Sequence, residues 1–138
     1  MNGPAAGPRE QATDNLARAR VAGGPLVGPV LWRVVSMVLA RADWPVNRLD
    51  EALLVCDALC AHAPMHASEG GLTFSVEADE REAELRIRDL TAEGAASLVQ
   101  DAILPIVGNL LERVSERVLV EPEDDGKGSQ LVLILSSN

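Results

Sequence analysis

The stretch "LTFSVEADEREAELRIRDL", residues 72–90, restricts the fold more than any other part of the chain. Apolar residues alternate on both sides of a charged turn, "DERE": Leu72, Phe74 and Val76 before it, Ala83, Leu85 and Ile87 after it. Period-two alternation places one set of side chains on one face of a strand. Two such runs around a charged turn predict an antiparallel hairpin with one buried face. A second hairpin is predicted from "RVLVEPE" (117–123) and "SQLVLILSS" (129–137), which flank the turn "DDGKG". A sheet with one apolar face needs a second layer to cover it.

The first half of the chain supplies that layer. In "LVGPVLWRVVSMVLAR", residues 26–41, nearly every position except Arg33 and Ser36 is apolar, and the length favours a helix. Pro29 suits its first turn, where a missing N–H costs nothing. Apolar girth of this kind means burial on more than one side, or a surface left for a partner. "ADWPVN" reads as a turn, with Asn47 as the expected N-cap of a second helix over 48–63. Asp50 and Glu51 then fall in its first turn, where acids are favoured. Leu49, Leu53, Cys56, Cys60 and Ala63 form its apolar stripe, and Pro64 ends it. A third helix is expected over 94–114, kinked or divided by Pro105 and Gly108. "LARARVA" (16–22) reads as a short strand, and residues 1–15 as a disordered lead-in rich in Gly, Pro and polar groups. The expected fold class is α+β: a two-layer sandwich with helices on one face of a mixed, mostly antiparallel sheet, in a single domain of residues 16–138.

Composition excludes several functions. The formal net charge is -9, and an acidic domain repels phosphate backbones, so direct nucleic-acid binding is not expected. No apolar run is long enough for a membrane span, and no secretion signal is visible, which makes a cytoplasmic location the expectation. Cys56 and Cys60, four apart, share a helical face and read as buried small hydrophobes; a metal pair with His62 or His66 is the weaker alternative. Only Phe74, Trp32 and Trp44 are aromatic, so valine, leucine and alanine do most of the packing.

A few polar residues stand out against this background. Asp57 sits beside the apolar stripe of the second helix, at about 80° when Leu49 is set to zero, and Ala61 at about 120°. Its structural reading is a solvated flank; its functional reading is a base or metal ligand. His62 and His66 suit a helix C-terminus, or a pH-sensitive contact. Asp89 ends the second strand and can cap the loop or hold a ligand. Trp44, beside Pro45, is either a protein-contact residue or a pin for the turn between helices. Glu121, Glu123, Asp124 and Asp125 form an acidic hairpin tip that would suit a basic partner.

In order and spacing, "GPLVGPVLWRVVSMVLARADWPVNRLDEALLVCDAL", "LTFSVEADEREAELRIRDL" and "LLERVSERVLVEPEDDGKGSQLVLIL" resemble the small bacterial anti-sigma factor and serine kinase family, which has the histidine-kinase-like (GHKL) ATPase fold. The resemblance spans residues 16–136 and implies where a nucleotide site would lie. The family's general base matches Asp57, but the asparagine that completes its Mg2+ shell matches Ala61, whose methyl offers no oxygen to a hard cation. The family's Asp-x-Gly-x-Gly stretch matches "RDLTAEG": Asp89 is kept, Thr91 replaces the first glycine and Gly94 is displaced by one. In place of the Gly-rich phosphate lid stands "ASLVQDAILPIVG", neither Gly-rich nor basic. Asp57, Ala61, Asp89, Thr91 and Gly94 are thus a vestigial nucleotide site, and neither ATP, Mg2+ nor another metal is expected as a cofactor.

The function this implies is regulation by protein binding, either sequestering a sigma factor or binding an anti-sigma antagonist. The resemblance also implies pairing into dimers. The alternatives are an active ATP-dependent serine/threonine kinase with Asp57 as base, and a homodimeric scaffold or small-molecule sensor.

Overall fold

The computed structural model describes residues 15–22, 24–103, 115–124 and 126–138. The elements run β1 (Leu16–Ala22), α1 (Val27–Arg41), α2 (Val46–His62), a 3-10 turn (Ala63–His66), β2 (Gly71–Ala78), β3 (Glu82–Leu90), α3 (Gly94–Ile103), β4 (Ser115–Pro122) and β5 (Ser129–Ser136). The expected order of strands and helices is present. Pro105, Gly108 and the rest of the expected third helix beyond Ile103 lie outside the described residues, as does the lead-in up to residue 14. Asn15 belongs to the fold: its side-chain amide donates to the carbonyls of Val38 (3.0 Å) and Ala78 (2.9 Å).

The five strands form one sheet in the order β1-β2-β3-β5-β4. Every pairing is antiparallel, so the expected parallel component is absent from the described strands. The β2–β3 register sets Phe74 opposite Ile87 and Val76 opposite Leu85, as the alternation requires. Continued across β5, the same face adds Leu131, Leu133 and Leu135. These residues are buried with Leu31, Val35 and Leu39 of α1 and Leu53, Cys56 and Leu59 of α2 in one core. Phe74, the only phenylalanine, is fully buried. The opposite face carries Thr73, Ser75 and Glu77 of β2 against Arg88, Arg86 and Glu84 of β3. This is the two-layer α+β sandwich that the sequence predicts.

Two details of the second helix differ from expectation. The second helix begins at Val46 with Pro45 at its N-cap position, so Asn47 lies inside the helix and makes no capping bond. Pro45 has an extended ψ of 145° that turns the chain into the helix without a side-chain cap. Asp50 and Glu51 therefore fall beyond the first turn. Glu51 instead holds Arg48 at 2.9 Å, and the Arg48 guanidinium reaches the Ser136 carbonyl at the end of β5. The structure also decides between the two readings of Trp44. It is buried, and its indole N–H donates to the Asp79 carbonyl at 2.8 Å. Of its two sequence readings, the pin holds: it fixes the α1–α2 turn to the β2–β3 turn. The exposed tryptophan is Trp32, 45% accessible on the outer side of α1 with Met37 at 46%.

Candidate functional site

The residues that resemble a nucleotide site lie on two parts of the molecule. Asp57 and Ala61 are exposed on α2, one turn apart, on the side that also shows Leu54. The stripe Leu53–Cys56–Leu59 turns to the core and rotates Asp57 outward to solvent. The side chain of Ala61 is a methyl, with no oxygen to support Asp57 as a metal ligand. Among the described residues no group of three or more histidine, cysteine, aspartate or glutamate side chains is placed to hold a metal ion.

Asp89, Thr91 and Gly94 lie at the end of β3 and the start of α3. The β3–β5 register shifts between Ile87 and Leu90, and Asp89 takes a left-handed φ of 65°. A bulge of this kind re-aims a side chain. Here the Asp89 carboxylate accepts from the Thr73 hydroxyl (2.5 Å) and from the Arg20 guanidinium (2.6 Å). Thr73 and Arg20 are register partners on the solvated face of the sheet. The acid thus points away from the helix layer. The Asp89 backbone is held as well: its N–H donates to Glu123 (3.0 Å), and its carbonyl accepts from the Ser68 N–H (2.7 Å) and hydroxyl (3.0 Å). Glu123, read in sequence as part of a solvated or partner-binding tip, is in part a strand-end fastener. Asp125 of that cluster lies outside the described residues.

The segment after Asp89 is tied down at each end. The Thr91 N–H donates to the His66 carbonyl at 2.8 Å, and the Gly94 N–H donates to the Thr91 carbonyl at 2.8 Å. Buried Ser129 of β5 donates its hydroxyl to the Thr91 carbonyl (2.6 Å) and accepts from the Ala95 N–H (3.0 Å). A serine from a distant strand so serves one of the orphan N–H groups at the start of α3. Gly94 fits because it lacks a Cβ: one placed there would lie 2.9 Å from Thr91 Oγ1 and 3.0 Å from both the His66 carbonyl oxygen and Leu90 Cβ. Its glycine is explained by close packing. His66 closes the arrangement, its Nε2 lying 2.7 Å from Asp101 Oδ2 of α3. Sequence reasoning gave His66 a helix-end role and did not find Asp101 or Ser129. Neither belongs to a local pattern with its partner.

A cavity of about 200 Å3 opens beside this loop, lined by Ser68, Glu69, Asp89, Leu90, Thr91, Glu123, Lys127 and Gly128. Drug-sized and cofactor ligands occupy roughly 300–1,000 Å3. Three of its four charged side chains are acidic, which disfavours a triphosphate.

Cys56 is buried and Cys60 half-buried. Burial, with the Asp57 charge adding, pushes the Cys60 thiol from an ordinary 9.0 up to about 12. Burial, then Cys60 and Asp57, pushes Cys56 up further. A raised folded-state value means that the unfolded chain loses these protons first, so stability falls as pH rises above about 9. The chain has no tyrosine, and Lys127 is its one lysine, so few other groups titrate there. The urea midpoint is expected to drop between about pH 9 and 11, and Cys60→Ala to flatten that drop. A midpoint constant over this range would contradict the burial of both thiols.

The fold is a two-layer α+β sandwich, with helices packed on one face of a five-stranded antiparallel sheet. No protein-family model matches the chain, and no curated protein matches it. Among solved structures it is similar to a chain in the crystal structure of the SiaB-SiaC complex from Pseudomonas aeruginosa, at 10% identity, with a TM-score of 0.54 and 99% of each chain covered. At that identity the likeness is one of fold. No helix among the described residues is long and apolar enough to cross a membrane.

Proposed function

We propose that the chain is a non-catalytic or weakly catalytic regulatory protein of the anti-sigma type, acting by protein–protein binding. It sequesters a sigma factor or binds an anti-sigma antagonist. The observation that carries this reading is the engagement of Asp89: the one signature residue kept for reading adenine is bonded to Thr73 and Arg20 on the solvated face of the sheet. The bonded turn from Thr91 to Ala95, with Ala61 in place of the metal-binding amide, supports it further. Binding through the helix layer is supported by the exposed apolar side chains Trp32 and Met37 on α1 and Leu54 on α2. The similar fold in the SiaB-SiaC structure belongs to an assembly of two proteins, which fits a binding role.

Calorimetry with Mg-ATP tests this reading directly. The expected dissociation constant is weaker than about 1 mM, a binding free energy of less than about 4 kcal/mol. Micromolar affinity would overturn it. Transfer of labelled phosphate to a partner protein, lost in Asp57→Asn, would establish the kinase instead.

A further inference from the structure

Exposed apolar side chains collect at one end of the helical hairpin. Leu26, Leu54 and Met65 are each more than half exposed, and Trp32 nearly half. One close approach shows how the two helices meet: a Cβ placed on Gly28 of α1 would lie 3.8 Å from the Cys60 Cβ of α2. Gly28 stands near the start of α1 and Cys60 near the end of α2, and the chain reverses between Arg41 and Val46, so the helices run antiparallel. Trp32 is one turn on from Gly28, and Asp57 one turn back from Cys60, which sets the two level across the seam. Leu54 and Ala61 flank Asp57 by one turn on either side along α2, and Leu26 and Met65 extend the patch past the Gly28–Cys60 contact.

An aspartate in the middle of such a patch needs a reason. Asp57 is exposed, and among the described residues neither it nor Asp50, the other acid on that side of α2, forms an ion pair. The exposed side of α2 carries no arginine or lysine: Arg48, the one arginine of the helix, is held by Glu51 and the Ser136 carbonyl. In α1, Arg33 is rotated about 100° further from the seam than Trp32. The Asp57 charge is therefore unbalanced on its own surface, and it adds to the rise of both cysteine thiols beneath it. Apolar patches rimmed by polar groups mark contact surfaces. A purely apolar partner would strip water from the carboxylate and replace it with nothing, which opposes binding. A partner that covers this patch must bring a cation.

We propose that the α1–α2 seam is the docking site for a basic amphipathic helix of a partner protein, whose apolar side covers Trp32 and Leu54 and whose arginine or lysine pairs with Asp57. The inference rests on the protein-binding reading above and names the chemistry of the partner. The seam between two antiparallel helices is a groove that a third helix can fill. A cation seated there meets the carboxylate on one side and the Trp32 ring on the other, so an ion pair and a cation–π contact act on the same group. Asp57 then serves as a charge anchor for a partner, in place of the base that the resemblance implies.

Tryptophan fluorescence of the full chain tests this. The chain has two tryptophans and Trp44 is buried, so in a Trp44→Phe background the emission comes from Trp32 at the seam. The probes are a synthetic amphipathic helix of leucine and lysine and the same helix with glutamate in place of every lysine. The lysine helix is expected to give a saturable blue shift and the glutamate helix none. Asp57→Asn, on the exposed side of α2, is expected to weaken binding of the lysine helix about tenfold or more. Glu80→Gln removes an exposed acid from the β2–β3 turn, at the far end of the helical hairpin, and is expected to leave the affinity unchanged within about twofold. No shift with the lysine helix would overturn the proposal. So would equal binding of the glutamate helix, or an effect of Glu80→Gln as large as that of Asp57→Asn. If the Trp32 emission shifts with protein concentration alone, a second copy covers the seam and the foreign helix is excluded. Mg-ATP calorimetry on the same samples separates the two levels of the argument. Weak ATP binding with no peptide binding removes the seam and leaves the non-catalytic reading standing. Micromolar ATP affinity overturns that reading and, with it, the role given to Asp57.

Discussion

Trp44→Ala is expected to lose about 3–5 kcal/mol of stability, among the largest effects of any single substitution in this chain. Trp44 is 6% accessible and sits in a core otherwise built of aliphatic side chains, with Phe74 the other buried aromatic. No neighbour of comparable size is available to collapse into the space, so a cavity remains. The indole N–H also ceases to satisfy the Asp79 carbonyl, which loosens the link between the α1–α2 turn and the β2–β3 turn. For a domain of this length the melting temperature should fall on the order of 10 °C or more. Trp44→Phe keeps most of the packing and loses the hydrogen bond, for about 1 kcal/mol. Thermal and urea unfolding of both variants checks this. If Trp44→Ala cost no more than Trp44→Phe, the side chain would not be the pin described.

Ser129→Ala is the second. The hydroxyl is 3% accessible by residue and joins two backbone groups, the Thr91 carbonyl and the Ala95 N–H. Ala95 is itself fully buried, so its N–H has no route to water when the hydroxyl is removed. An orphaned buried donor costs about 1–3 kcal/mol. The loss is expected to be local as well as global: amide exchange should accelerate from Thr91 through the first turn of α3, while β2 and β3 keep their protection. Ser129→Thr keeps the hydroxyl and should recover part of the stability. Equal exchange in wild type and Ser129→Ala would mean that the turn is held by other contacts. The variant also bears on the proposed function, because it frees the loop that in the resembling family approaches the nucleotide. A gain of Mg-ATP affinity in Ser129→Ala would identify the bonded turn as what closes the site.

The strands were legible because their information is local. Alternation at i and i+2 in residues 72–90 assigns each side chain to a face whatever the rest of the chain does, and the register of β2 on β3 follows it. The α2 stripe was legible for the same reason, and it placed Asp57 and Ala61 together on the outward side before any contact was known. The first helix was not legible in that way. It is apolar nearly all round, so periodicity could not distinguish Leu31, which is buried, from Trp32, which is exposed. Only packing against β1, β2 and α2 decides which side of such a helix is covered. The α2 start was misplaced at Asn47 because a good N-cap residue was present, while the turn itself used Pro45 two residues earlier.

The candidate site divides along the same line. That the Ala61 side chain brings no oxygen to the surface of α2 is written in the residue itself. Where Asp89 points is not. Its direction depends on a bulge, a positive φ, and an arginine 69 positions away in β1. The cap on α3 comes from a serine 34 positions from the N–H it serves, and the Trp44 partner lies 35 positions on. Sequence alone determined the layers and the strand faces, because each follows from residue type and short-range period. Tertiary structure decided the aim of Asp89, the burial of Trp44 and the closure of the Thr91–Ala95 turn, because hydrogen bonds between residues far apart in the chain form only once the sheet has brought them together.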